Sequence, residues 1–180
     1  MKTKALLTIV LAVLFAGTAL QAQTARESKV RYTVMMETRL AGGLTGEVDY
    51  EALEWTVAPG CTFFDRLSLR IPVELDVAMF PKAQPQRTYS MTGTLGLNLG
   101  YDLLGSERYL LELNVSGGST YLRTSANYAY ADLSLKFGAN IGRAVPYLGL
   151  GLRYYSPYSG SGVIMAQTLA LTGTFGILLF

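Results

Sequence analysis

From Leu67 to Met79 every odd-numbered position holds an apolar residue: Leu67, Leu69, Ile71, Val73, Leu75, Val77 and Met79. The even positions are Ser68, Arg70, Pro72, Glu74, Asp76 and Ala78. Period two is the signature of a strand with one oily and one polar face. Strands in soluble sheets usually run about 5–6 residues, whereas a tilted strand that crosses a bilayer needs roughly 9–11. The alternation here is long enough for a crossing. Its polar face carries formal charge, which belongs in a wet or salt-bridged interior. The stretch predicts one continuous membrane-crossing strand over residues 67–79.

The same pattern recurs along the chain. Alternating segments are predicted over residues 29–40, 52–63, 67–79, 89–101, 108–116, 128–141, 145–155 and 163–180. The connections alternate long and short: 41–51, 64–66, 80–88, 102–107, 117–127, 142–144 and 156–162. An up-and-down sheet produces this when one rim faces the periplasm and the other faces outside. The fold class expected is therefore all-β: an eight-stranded antiparallel up-and-down transmembrane β-barrel. An even strand number puts both termini on the periplasmic side. The first and last strands then pair and remove the edges that a bilayer does not tolerate. Pro59 removes a ladder donor and predicts a bulge or local break. Phe180 is out of step with Leu169, Leu171, Phe175, Ile177 and Leu179, which predicts a bulge near Gly173 or Gly176.

The first 22 residues read as a cleaved secretion signal. Lys2 and Lys4 form a positive start, Ala5 to Ala16 an apolar run, and Gly17 to Ala22 a small-residue exit. Cleavage is expected after Ala22, with Ala19 as the other candidate. Residues 23–180 then form one barrel domain. A formal net charge of +2 gives no reason to expect a nucleic-acid partner. Cys61 is the single cysteine, so no intrachain disulfide can form. It falls on the apolar register and reads as a small lipid-facing residue.

The two faces differ in size as well as polarity. The apolar face is bulky, while the polar face mixes small residues with charges. A soluble barrel would put its bulky apolar residues inside; this chain reads as the reverse. The predicted lumen holds Arg31, Arg39, Arg70, Lys136 and Arg153 with Glu37, Glu54, Glu74, Asp76, Glu112 and Asp132. Buried charges need partners, so the signs should pair across the lumen and plug it. A selective pore would show a ring of one sign. Aromatic residues gather near strand ends, as in the girdles of membrane barrels. Tyr32, Phe63, Phe64, Tyr101, Tyr109 and Tyr147 are assigned to the periplasmic rim. Trp55, Phe80, Tyr89, Tyr121, Tyr128, Tyr154, Tyr155 and Tyr158 are assigned to the outer rim.

The chain contains no histidine. Histidine-assisted hydrolysis and ordinary histidine-containing metal sites are therefore unavailable, and G-L-G-L at 149–152 reads as strand rather than phosphate loop. Glu74 and Asp76 share a face and could form an acid pair. Arg70 on that same face favours a lumen salt bridge. No enzyme activity, cofactor or metal is expected.

The signal segment, the alternating strands, V-P-Y-L-G-L-G-L-R-Y (Val145 to Tyr154) and the terminal Phe180 together resemble the small outer-membrane β-barrel family of Gram-negative bacteria, the OmpA/OmpX-like type. The resemblance covers the whole chain after the signal. It implies residence in the outer-membrane lipid as a monomer. It also implies passage through periplasmic chaperones and the barrel-assembly machinery, with Phe180 as the C-terminal assembly signal. The peptidoglycan-binding domain that some relatives carry is expected to be absent. The family's lipid A-modifying enzymes and phospholipases rely on histidine and do not fit. The expected role is structural or surface-interacting. The alternatives are a narrow porin-like channel for small solutes and a soluble calyx for an apolar ligand.

Overall fold

The computed structural model describes residues 30–45, 50–79, 89–121, 127–158 and 167–180. The signal segment and Phe80 lie outside the described residues. Eight staves form the wall: β1 (Val30–Gly43), β2 (Glu51–Phe63), β3 in two segments (Leu67–Arg70 and Val73–Met79), β4 (Tyr89–Asp102), β5 (Tyr109–Thr120), β6 (Tyr128–Ala139), β7 (Ala144–Pro157) and β8 (Thr168–Leu179). Each pairs antiparallel with its neighbours in sequence, and β1 pairs with β8, so the sheet closes. Closure removes the unpaired edges that hydrocarbon would penalise.

The stagger of the barrel can be walked residue by residue. Thr33 faces Gly60, then Arg70, Asn98, Ser116, Asp132, Arg153 and Ala170 in turn, and the circuit returns to β1 at Gly43. The return point lies ten residues beyond the start, Thr33 to Gly43. An even stagger is required if inward residues are to meet inward residues at the seam. With about 3.3 Å per residue and about 4.8 Å between strands, this stagger tilts eight staves by roughly 40°, inside the range of small barrels. The interior is then just wide enough for side chains.

Three short turns, at 64–66, 103–108 and 140–143, lie on the rim that also carries Val30 and Phe180, called the lower rim below. Phe64 and Asp65 both have positive φ, 51° and 57°, and the Arg66 amide donates to the Phe63 carbonyl at 3.1 Å. This is the two-residue hairpin whose twist suits adjacent strands. Gly142, at φ 67°, opens the turn between β6 and β7, where Ile141 and Ala144 exchange hydrogen bonds of 2.8 and 3.3 Å.

The stave 67–79 is not continuous, contrary to the sequence expectation. It is interrupted at Ile71-Pro72, yet the pairing with β2 keeps one register on both sides of the gap. The cause is two prolines. The Ile71 amide donates to the Pro59 carbonyl at 2.9 Å and the Gly96 amide to the Pro72 carbonyl at 3.0 Å. Neither proline has an N–H to return the bond. Of the bulge or local break expected at Pro59, the bulge does not occur, since β2 pairs with β1 without a skip through Val34–Pro59; the break falls on the facing stave. The bulge expected near Gly173 or Gly176 is likewise absent, because β8 pairs evenly with β1 from Ala170 to Leu179. β5 continues through Gly117-Gly118 to Thr120, while β6 stops at Ala139 rather than Ile141.

The burial pattern reports which face is which. Along β1 and β6 alternate residues are buried and exposed, and the exposed ones are large: Met36, Leu40, Leu133, Leu135 and Phe137. The buried ones include Glu37, Arg39, Asp132 and Lys136. Apolar bulk outside and ionic groups inside is the reverse of a soluble barrel and matches a transmembrane one.

Candidate functional site: an ion-paired lumen

The walls bring the buried charges into two layers. In the central layer Arg153 donates to Glu54 at 2.9 Å and also pairs with Glu74. Arg39 donates to Glu37 at 2.7 Å and to Glu54 at 3.1 Å, with Glu74 and Asp132 each 3.7 Å away. Lys136 donates to the second oxygen of Glu37 at 2.6 Å. Below this, Arg70 forks onto Glu112 with two bonds of 2.8 Å and reaches the side-chain oxygens of Asn98 and Asn114. A bidentate guanidinium–carboxylate pair is the strong form of such a contact. All these side chains are almost wholly buried.

Tyrosines pack around the upper end of this network. Tyr155 donates to Glu54 and Tyr128 to Asp76, both at 2.6 Å. Their rings meet edge to face at 5.3 Å, and Tyr50 packs on Tyr155 at 4.8 Å. Tyr130 lies under the Arg153 guanidinium at 3.6 Å, a cation–π distance. Around these rings sit Ala41, Ala52, Ala78 and Ala170. The small residues on the inward register leave the space the rings occupy.

Toward the lower rim the lumen lining turns apolar. Met35, Ala58, Val145, Tyr147 and Leu178 form a buried apolar cluster with Leu110 and Phe180 against it. Tyr147 also donates to Glu37 at 2.7 Å. Beneath lies a vestibule of about 630 Å³, lined in part by Arg31, Asp65, Arg66, Glu112 and Phe180.

Several assignments from sequence need correction. Arg31 does not join the lumen network: it pairs with Asp65 at the exposed lower rim and lies 4.8 Å over the Phe180 ring. Its parity is inward, but it sits below the plug. Tyr147, Tyr128 and Tyr155 are not girdle residues; all three are buried in the lumen. Tyr32, Trp55, Tyr89, Tyr101, Tyr109 and Tyr154 do lie on the exposed outer surface, and Phe63 is partly exposed at the lower rim. Phe180 turns inward, in step with Leu178. Tyr50 escaped the sequence reading, because it precedes β2 in a segment read as loop. The cue was its even number, which continues the inward parity of Ala52 and Glu54.

Glu54, Glu74 and Asp76 bring carboxylate oxygens within 4.8 Å of one another, a donor set of the kind hard cations take. Both oxygens of Glu54 and both of Glu74 are already engaged by Arg39, Arg153, Tyr155 and Thr94. The cluster therefore fits the counter-charge of two arginines better than a metal cage.

No family model matches the chain, and no curated protein matches it. Among solved structures it is similar to a barrel from the de novo design of transmembrane β-barrels. That likeness has 9% identity and a TM-score of 0.41, covering 86% of this chain and 97% of the other. It is also similar to the translocator domain of autotransporter NalP from Neisseria meningitidis, with 10% identity and a TM-score of 0.36, covering 99% and 97%. At these scores neither likeness carries an argument. The assignment rests on the faces of the barrel itself.

Proposed function

We propose that this protein is an integral outer-membrane barrel of the OmpA/OmpX-like type, with a structural or surface-interaction role and no enzymatic activity. The observation that carries the reading is the inside-out wall: an apolar outer belt around a lumen of paired charges. Transfer to water would expose the belt, while transfer to lipid leaves the buried Arg39, Arg70, Lys136 and Arg153 each paired with a carboxylate inside. The tyrosine seal, the ion-pair layers and the lower apolar plug all argue against a solute path, so the channel alternative gains no support from a specific contact. The calyx alternative needs an apolar interior, and the central lumen is ionic.

Detergent extraction followed by gel migration with and without heating tests the reading. An intact membrane barrel migrates differently before and after boiling, and protease acts on the long connections in intact cells. Recovery of the mature protein in the soluble fraction without detergent defeats it. Planar-bilayer recording separates the two membrane readings: steady single-molecule conductance would favour the channel.

A further inference from the structure

On the outer face of β6, β7 and β8, Phe137, Leu148 and Phe175 lie side by side across the three strands. They are 55, 69 and 56% exposed, and so form a ridge standing out from the wall. Nearer the lower rim the next outward row runs Tyr109, Ala139, Pro146 and Ile177, and its two middle residues are the smaller ones. Between the rows, Gly138 and Gly176 flank Tyr147, whose ring is turned into the lumen. The step from large to small residues leaves an apolar groove of about 420 Å³. Below it, the turn between β6 and β7 carries the exposed Arg143. Its carbonyl accepts from the Phe180 amide at 3.1 Å, which ties the turn to the end of β8. The Arg143 guanidinium has no ion pair among the described residues.

We propose that this groove seats one acyl chain of an anionic phospholipid from the lower leaflet, with the lipid phosphate held by Arg143. The inference rests on the membrane reading above. The apolar lining suits hydrocarbon and offers nothing to a polar ligand. Arg143 belongs to the turn that joins Ala139 to Pro146, so the cation stands on the rim side of the groove, where a lipid headgroup lies.

The test uses the full chain reconstituted into vesicles of phosphatidylethanolamine and phosphatidylglycerol, the latter carrying a photoactivatable acyl chain. Label is expected to concentrate on peptides containing Pro146 and Phe175. Arg143→Glu should lower it about fivefold, the scale of one basic residue at an anionic surface. Ala139→Phe, which fills the groove with another apolar side chain, should lower it similarly. Heat-modifiable migration checks that both variants fold, and Arg143→Gln gives a second reading on a turn outside the core. Label spread evenly around the belt, or unchanged in all three variants, overturns the proposal. Crosslinks joining two copies through this face also overturn it, by making the groove a self-interface. A chain that fails to float with vesicles removes the membrane reading itself, a distinct result from floating without local label.

Discussion

Arg153 on β7 and Glu54 on β2 meet at 2.9 Å in the middle of the lumen, 99 residues apart in sequence, with both side chains fully buried. The pair spans the barrel rather than linking neighbouring staves. It gives the interior a reason to hold one register, because a slip of one residue on either wall would turn a charge toward lipid.

Removing one partner of such a pair costs far more than removing both. Arg153→Met leaves Glu54 and Glu74 short of counter-charge, and should destabilise the barrel by about 3–5 kcal/mol. Arg153→Met combined with Glu74→Gln should recover part of that loss. Urea unfolding in detergent, followed by tryptophan fluorescence of Trp55, measures both. A double-variant loss equal to the sum of the Arg153→Met and Glu74→Gln losses would mean that the pair is not energetically coupled.

The two faces of β3 can be compared at adjacent residues. Val73 faces outward between Val57 and Leu95, while Glu74 is buried in the lumen. Val73→Arg puts a charge against hydrocarbon near the middle of the stave and should cost about 2–4 kcal/mol, blocking stable insertion. Glu74→Gln should be much milder for insertion. Membrane fractionation of the two variants decides, and similar behaviour would mean the facing is wrong.

How much of this was legible before the structure depends on which coordinate is asked for. Parity was legible: the alternation at Glu37, Arg39, Asp132 and Lys136 separates inward from outward residues without any three-dimensional knowledge. Height along the stave was not. Arg31 has the right parity for the network but sits below the plug, and alternation carries no depth signal. Tyrosine is also ambiguous, since an amphipathic ring suits a girdle or a hydrogen-bonded seal equally. Nearness to a strand end assigns Tyr128, Tyr147 and Tyr155 to the girdle, whereas their parity points inward. The break at Ile71-Pro72 needed the register between β2 and β3, which alone reveals two prolines side by side.

The ladder at that break offers a stabilising change. Pro72→Ala supplies an N–H facing Gly96, whose amide already donates to the Pro72 carbonyl. One added hydrogen bond is worth about 0.5–1.5 kcal/mol. Amide exchange at Ile71 and Val73 should slow correspondingly. Unchanged exchange would place the cause of the break elsewhere.

The end of β8 tests the inward turn of Phe180. Leu178 is buried in the lower plug, whereas Leu179 faces outward and is 38% exposed. Leu178→Ala opens a cavity among Met35, Val145 and Tyr147, and should cost about 2–5 kcal/mol. Leu179→Ala faces fluid lipid, which refills the lost volume, so its cost should be well below that. The opposite order, read from urea midpoints in the same detergent, would mean that β8 is shifted by one residue. That shift would also carry Phe180 out to the lipid and separate its ring from Arg31. The pair of substitutions therefore reports on the register of the whole closing seam, where β8 returns to β1.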